Sequence, residues 1–143
     1  MLPAFLALVG QPLTNSPSAT GRWLAGTLIA AEEGALSVEY VVRPEMTNPA
    51  GTLHGGIIAT MMDDVIGMSV MSLGRADFYA SINIHVDYLN SARPGDILVA
   101  RARVVRAGRN VVNAECSLSD QRDRLVARAV SNLGRVDVSP RSS

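Results

Sequence analysis

Two hydrophobic rhythms divide the chain. From Ala80 to Leu89, "ASINIHVDYL" alternates residue by residue, with Ile82, Ile84, Val86 and Tyr88 on one side and Ser81, Asn83, His85 and Asp87 on the other. That period of two predicts a half-buried strand. Three more strands are expected in "ILVARARVVR", "NVVNAECSLS" and "LVARAVSNLGRV", separated by the turns "RPGD", "AGR" and "DQRDR". Upstream, 24–31 and 35–43 flank "EEG" and read as a hairpin turning at Gly34.

Between these two sets the rhythm changes. Gly55 to Leu73 is built from Gly, Ala, Ile, Met and Val, with charge only at Asp63 and Asp64. It predicts a helix of about 28 Å, buried over most of its circumference and wrapped by the sheet. "MLPAFLALVG" is expected to form a short helix packed on the domain, and "GQPLTNSPSATG" a loop. The order is helix, two strands, long helix, four strands. This defines an α+β fold with an antiparallel sheet around a central helix. One domain is expected over residues 1–143, with 1–23 an N-terminal helix and loop and 138–143 a frayed tail.

Composition narrows what such a domain can do. Thirteen basic residues balance thirteen acidic ones, which is not the footprint of a nucleic-acid binder or of a polybasic membrane patch. No apolar run reaches the roughly 20 residues of a membrane span. The start lacks the basic n-region of a signal peptide, since the first positive side chain is Arg22. One cysteine, Cys116, and two histidines make a poor ligand set for metal, so no metal and no cofactor are expected. A reducing, cytoplasmic setting follows from the same count.

The candidate chemistry lies in "NPAGTLHGGIIATMMDD", Asn48 to Asp64. A carboxylate among Met61, Met62, Val65 and Ile66 is costly unless something stabilises its charge. Two readings stand: either Asp63 pairs internally while Asp64, turned by about 100°, reaches solvent, or Asp63 is a poised base or nucleophile. At the other end, the first N–H groups of the helix lack intrahelical acceptors, and Gly55 and Gly56 let a carbonyl oxygen approach them. Gly55 and Asp63 are eight residues apart, about 12 Å along the axis, too far to meet on one helix. Two antiparallel copies related by a two-fold axis near Ala59 bring them together, so the spacing suggests a dimer with two composite sites.

The motif "NPAGTLHGG", an Asp nine residues after His54, the segment "YASINIHVDYLNSARPGD" and "GR" at Gly108–Arg109 together resemble the PaaI-like acyl-CoA thioesterases of the hotdog superfamily. The resemblance spans nearly all of the chain after the first helix. It implies a five- or six-stranded sheet curled around the helix, assembled as homodimers and often homotetramers, and hydrolysis of an acyl-CoA to free acid and CoA. It also implies that Asp63 is the catalytic carboxylate and that the Gly55 N–H polarises the thioester carbonyl. Asn48 and Ser81 match positions that help hold substrate or water in animal relatives. His54 matches the motif histidine, usually more structural than chemical, and with Gly56 it is a candidate for substrate binding. Asp64 has no matching role.

Each of these residues also has a plain structural reading. Asn48 before Pro49 is a turn pair, Ser81 can simply begin a strand, and His54 can cap the helix. Arg103, Arg106 and Arg109 bracket the "AGR" turn. Of these, Arg106 and Arg109 are the candidates to bind the CoA nucleotide, which needs cations with bidentate reach. The methionines at 61, 62, 68 and 71 serve as core filler, as an adaptable acyl pocket, or as both. Around Ser69, "GMSVM" lacks the second glycine of a nucleophile elbow. The alternatives are an acyl-thioester binding protein without turnover and, less favoured, a hotdog hydratase or dehydratase, whose histidine follows Asn-Pro at a shorter spacing.

Overall fold

The computed structural model describes residues 1–137, so the expected frayed tail at 138–143 lies outside the described residues. Helix α1 (Leu2–Leu8) begins at Pro3 within its first turn, where a missing N–H costs nothing. The segment read as a loop ends in a second helix, α2 (Ala19–Leu24), because Ser18 caps it by accepting from the Gly21 N–H at 3.1 Å. Leu24 therefore belongs to a helix, and strand β1 (Thr27–Glu32) starts later than its hydrophobic pattern predicts.

Strands β1 and β2 (Ala35–Val41) pair as the expected hairpin, with Gly34 in the left-handed region at φ +77°. One 3-10 turn, Pro44–Met46, and the loop to residue 54 lead into α3 (Gly55–Met71), two residues shorter than expected. Strands β3 (Phe78–Tyr88), β4 (Ile97–Ala107), β5 (Val111–Asp120) and β6 (Leu125–Val136) complete a six-stranded sheet in the order β1-β2-β4-β5-β6-β3. All of its pairings are antiparallel.

The sheet closes over one face of α3. Leu36, Val38 and Tyr40 of β2 and Val112, Ala114, Cys116 and Leu118 of β5 point inward at every second position, as the pleat requires. They meet Met61, Met62, Val65 and Ile66 of the helix, all fully buried. Truncating any of these to alanine would cost roughly 2–5 kcal/mol. Two serines fix the helix against the hairpin. Ser69 Oγ accepts from the Leu36 N–H and donates to the Val65 carbonyl, and Ser72 Oγ accepts from the Gly34 N–H. Burial and full hydrogen bonding make Ser69 a structural residue.

One expectation about β3 is overturned. The uninterrupted alternation places Ser81 opposite Ile84 and Val86, but a bulge shifts the register between Ser81 and Asn83. The extra residue, Ile82, is 61% exposed instead of sharing the buried side. After the bulge Ile84 and Val86 pack on the core, and before it Tyr79 and Ser81 face the same way.

Candidate active site

Because of that bulge, the Ser81 hydroxyl reaches α3 and donates to Oδ1 of Asp63 at 2.7 Å. Both residues line a cavity of about 730 Å³ enclosed by the outer flank of α3, the start of β3 and the N-terminal segment. Asp63, Asp64, Gly67, Met68 and Met71 come from the helix, and Phe5 and Leu8 come from α1. Met61 and Met62 fill the core, Met71 lines the cavity, and Met68 lines the cavity while also packing on the core.

Asp64 is half-buried. It turns toward α2, with Oδ2 3.2 Å from where a Cβ on Gly21 would sit. Burial, and second to it the charge of Asp63, holds its carboxyl above the ordinary carboxylate range. The two neighbouring acids thus have different surroundings: one is hydrogen-bonded by a hydroxyl, the other is desolvated against a helix.

The helix start is built as its sequence requires. His54 is the N-cap, its Nδ1 accepting from the Gly56 N–H at 2.9 Å. The motif histidine is therefore a cap, and it lies outside the cavity lining. Gly55, the first helical residue, has an N–H without an intrahelical acceptor, and its carbonyl accepts from the Tyr88 hydroxyl at 2.9 Å. The Tyr88 ring lies 3.3 Å from the position of a Cβ there, so any side chain at 55 would press on it.

Asn48 shapes the loop ahead of the helix. Its Oδ1 accepts from the Ala50 and Thr52 N–H groups, and its Nδ2 donates to Thr52 Oγ1 at 2.9 Å. Within one chain, then, Ser81 meets Asp63 at the middle of α3, whereas Asn48, Gly55 and Gly56 gather at its N-terminal end.

Arg106 and Arg109 are exposed at the β4–β5 turn. Arg103 is engaged across the strands with Glu115. A residue that sequence reading passed over ties this turn to the cavity. Arg75 lines the cavity, donates to the Ala107 and Gly108 carbonyls at 2.8 and 2.6 Å, and stacks over the Tyr79 ring. Cys116 is no nucleophile, since burial pushes its thiol up to about 12.

A long central helix held by a curled antiparallel sheet, with an acid on its free flank, defines the hotdog class of thioesterases. Residues 50–127 match the family model of the thioesterase superfamily, and the chain belongs to that family. Human acyl-coenzyme A thioesterase 13 is 30% identical over 95 residues, covering 66% of this chain and 68% of that protein. A solved structure of a thioesterase from Ralstonia eutropha JMP134, described as related to phenylacetic acid degradation, is 35% identical. It superposes with a TM-score of 0.75 over 84% of this chain and 90% of that one. The PaaI protein of the E. coli phenylacetic acid degradation operon, at 22% identity, shares the fold with a TM-score of 0.80 over 87% and 89% of the two chains. The PaaI-like resemblance read from the motifs is thereby borne out, and the protein is a thioesterase.

Proposed function

We propose that the protein hydrolyses an acyl-CoA thioester to free acid and CoA at sites shared between two subunits, with Asp63 as the reacting carboxylate. The observation that carries this reading is the Ser81–Asp63 hydrogen bond at the wall of an apolar cavity. A binding protein gains nothing from a carboxylate beside an acyl pocket, because the charge costs desolvation and repays none of it. The dehydratase reading is less favoured because His54 follows Asn48-Pro49 at a longer spacing than such enzymes use.

In the proposed reaction the Gly55 N–H of a second subunit polarises the thioester oxygen, aided by the partial positive charge of the helix start. Asp63, oriented through Oδ1 by Ser81, takes a proton from water with Oδ2 as the water oxygen attacks the carbonyl carbon. Collapse of the tetrahedral intermediate breaks the C–S bond, and the leaving thiolate takes up a proton. Attack by Asp63 itself through an anhydride is the variant of the same chemistry. Asn48 of the second subunit is placed to hold substrate or water, and Arg106 and Arg109 to meet the CoA phosphates.

Two features support the shared site. Gly55 and Asp63 are separated by about 12 Å on one helix, and β3 ends the sheet with its outer edge unpaired in the single chain. That edge is eleven residues long and carries the exposed apolar side chains Phe78, Ile82 and Tyr88, which suits pairing with a second copy. Thiol release from an acyl-CoA panel tests the reading. Asp63→Asn should lower kcat by at least about 10²-fold while acyl-CoA still binds; hydrolysis by this variant at the wild-type rate would end it.

A further inference from the structure

We infer that Gly67 sets the depth of an acyl slot running along α3 from Asp63 past Met71, and that the slot admits an extended apolar acyl chain of medium length. The inference rests on Asp63 as the reacting group. Asp63, Gly67 and Met71 follow one another at four-residue steps, so they share one helix flank and cover about 12 Å of it. All three line the same cavity.

A glycine in mid-helix weakens the helix, and within the single chain neither backbone nor packing asks for one here. Gly67 has no positive φ, and a Cβ built on it would meet nothing within 4 Å. What the missing side chain leaves is space, directly beyond the carboxylate. Phe5 and Leu8 of α1, Met68 and Phe78 supply apolar wall, and Arg75 and Asp77 line the same cavity. Methionine and short-helix side chains adapt to a flexible chain.

The test compares wild type with Gly67→Leu on acetyl-, hexanoyl- and decanoyl-CoA by thiol release, together with binding of the non-hydrolysable decanoyl-CoA thioether. The leucine should fill the slot, lowering kcat/KM for decanoyl-CoA and thioether affinity by roughly tenfold or more while leaving acetyl-CoA turnover within about twofold. Sedimentation should show an unchanged assembly. Gly67→Ala should move the preference in the same direction by a few fold, and it serves as the test if the leucine variant does not fold. Equal losses on all three acyl groups, an unchanged preference, or a dissociated assembly would each overturn the slot. Wild type that binds the thioether but releases no thiol would end the hydrolase reading, and weakened binding in Gly67→Leu would then still support the slot.

Discussion

The Ser81 hydroxyl donates to Oδ1 of Asp63 across 2.7 Å, joining the first half of β3 to the middle of α3. One oxygen of the carboxylate is thereby held, and in the proposed mechanism the other is left for the chemistry, with Ser81 as a positioning residue that acts through Asp63. Ser81→Ala should lower kcat by roughly tenfold to a hundredfold, the range for losing a hydrogen bond to a charged group. KM should change little, and Ser81→Thr, which keeps the hydroxyl, should recover part of the rate. A rise in KM with kcat intact would place Ser81 in substrate binding instead.

If Asn48 and Asp63 act from opposite chains, inactive Asp63→Ala and inactive Asn48→Ala subunits should complement one another. In a randomly exchanged mixture, some dimers hold one site with both residues intact. Thiol release should return after exchange verified by mass, and its absence would put both residues in one chain's site.

The surroundings of Asp64 set a pH dependence of stability. Its folded-state pKa is raised, by burial first and by Asp63 second, so the native protein holds this proton more tightly than the unfolded chain. The stability it contributes is fully present below the unfolded value of about 3.9 and is lost as pH rises through the folded one. Asp64→Asn should therefore have a higher urea midpoint than wild type at pH 7. The advantage should shrink as pH falls and vanish below about pH 4, where both states are protonated.

Tyr40 lies in the core at 1% exposure, and its hydroxyl has no hydrogen-bond partner among the described residues. Tyr40→Phe removes the unsatisfied group without opening a cavity. Stability should hold or rise by on the order of 1 kcal/mol, read from the denaturation midpoint.

Arg106 and Arg109 stand exposed at the β4–β5 turn, where they can meet phosphate. Replacing either with alanine should raise KM for acyl-CoA far more than it lowers kcat, since such contacts are equal in ground and transition states. The effect should fall away with a pantetheine thioester that lacks the nucleotide. Arg75 supports the same turn through carbonyls, so Arg75→Ala should perturb both substrates.

The helix start was legible because Gly55, Gly56 and a capping His54 are all local signals, and the hairpin was legible because Gly34 marks its turn. The bulge was not, because Ile82 continues an unbroken alternation and nothing in the pattern marks the extra residue. Helix α2 was hidden in a Gly-, Pro- and Ser-rich stretch whose Ser18 reads as loop until its cap is seen. Arg75 escaped notice for another reason: beside the Tyr79 side chain, its partners are backbone carbonyls, which carry no residue signature.

The extra residue at Ile82 works as an expansion joint. A displacement of the strand's start, forced by a change in the 72–77 connection or by a second copy settling on the edge, can be taken up at one exposed side chain before it reaches Ile84 and Val86. The half of β3 that faces Asp63 and the half that fills the core can therefore drift in sequence independently, and a lineage can retune its chemistry without repacking its interior.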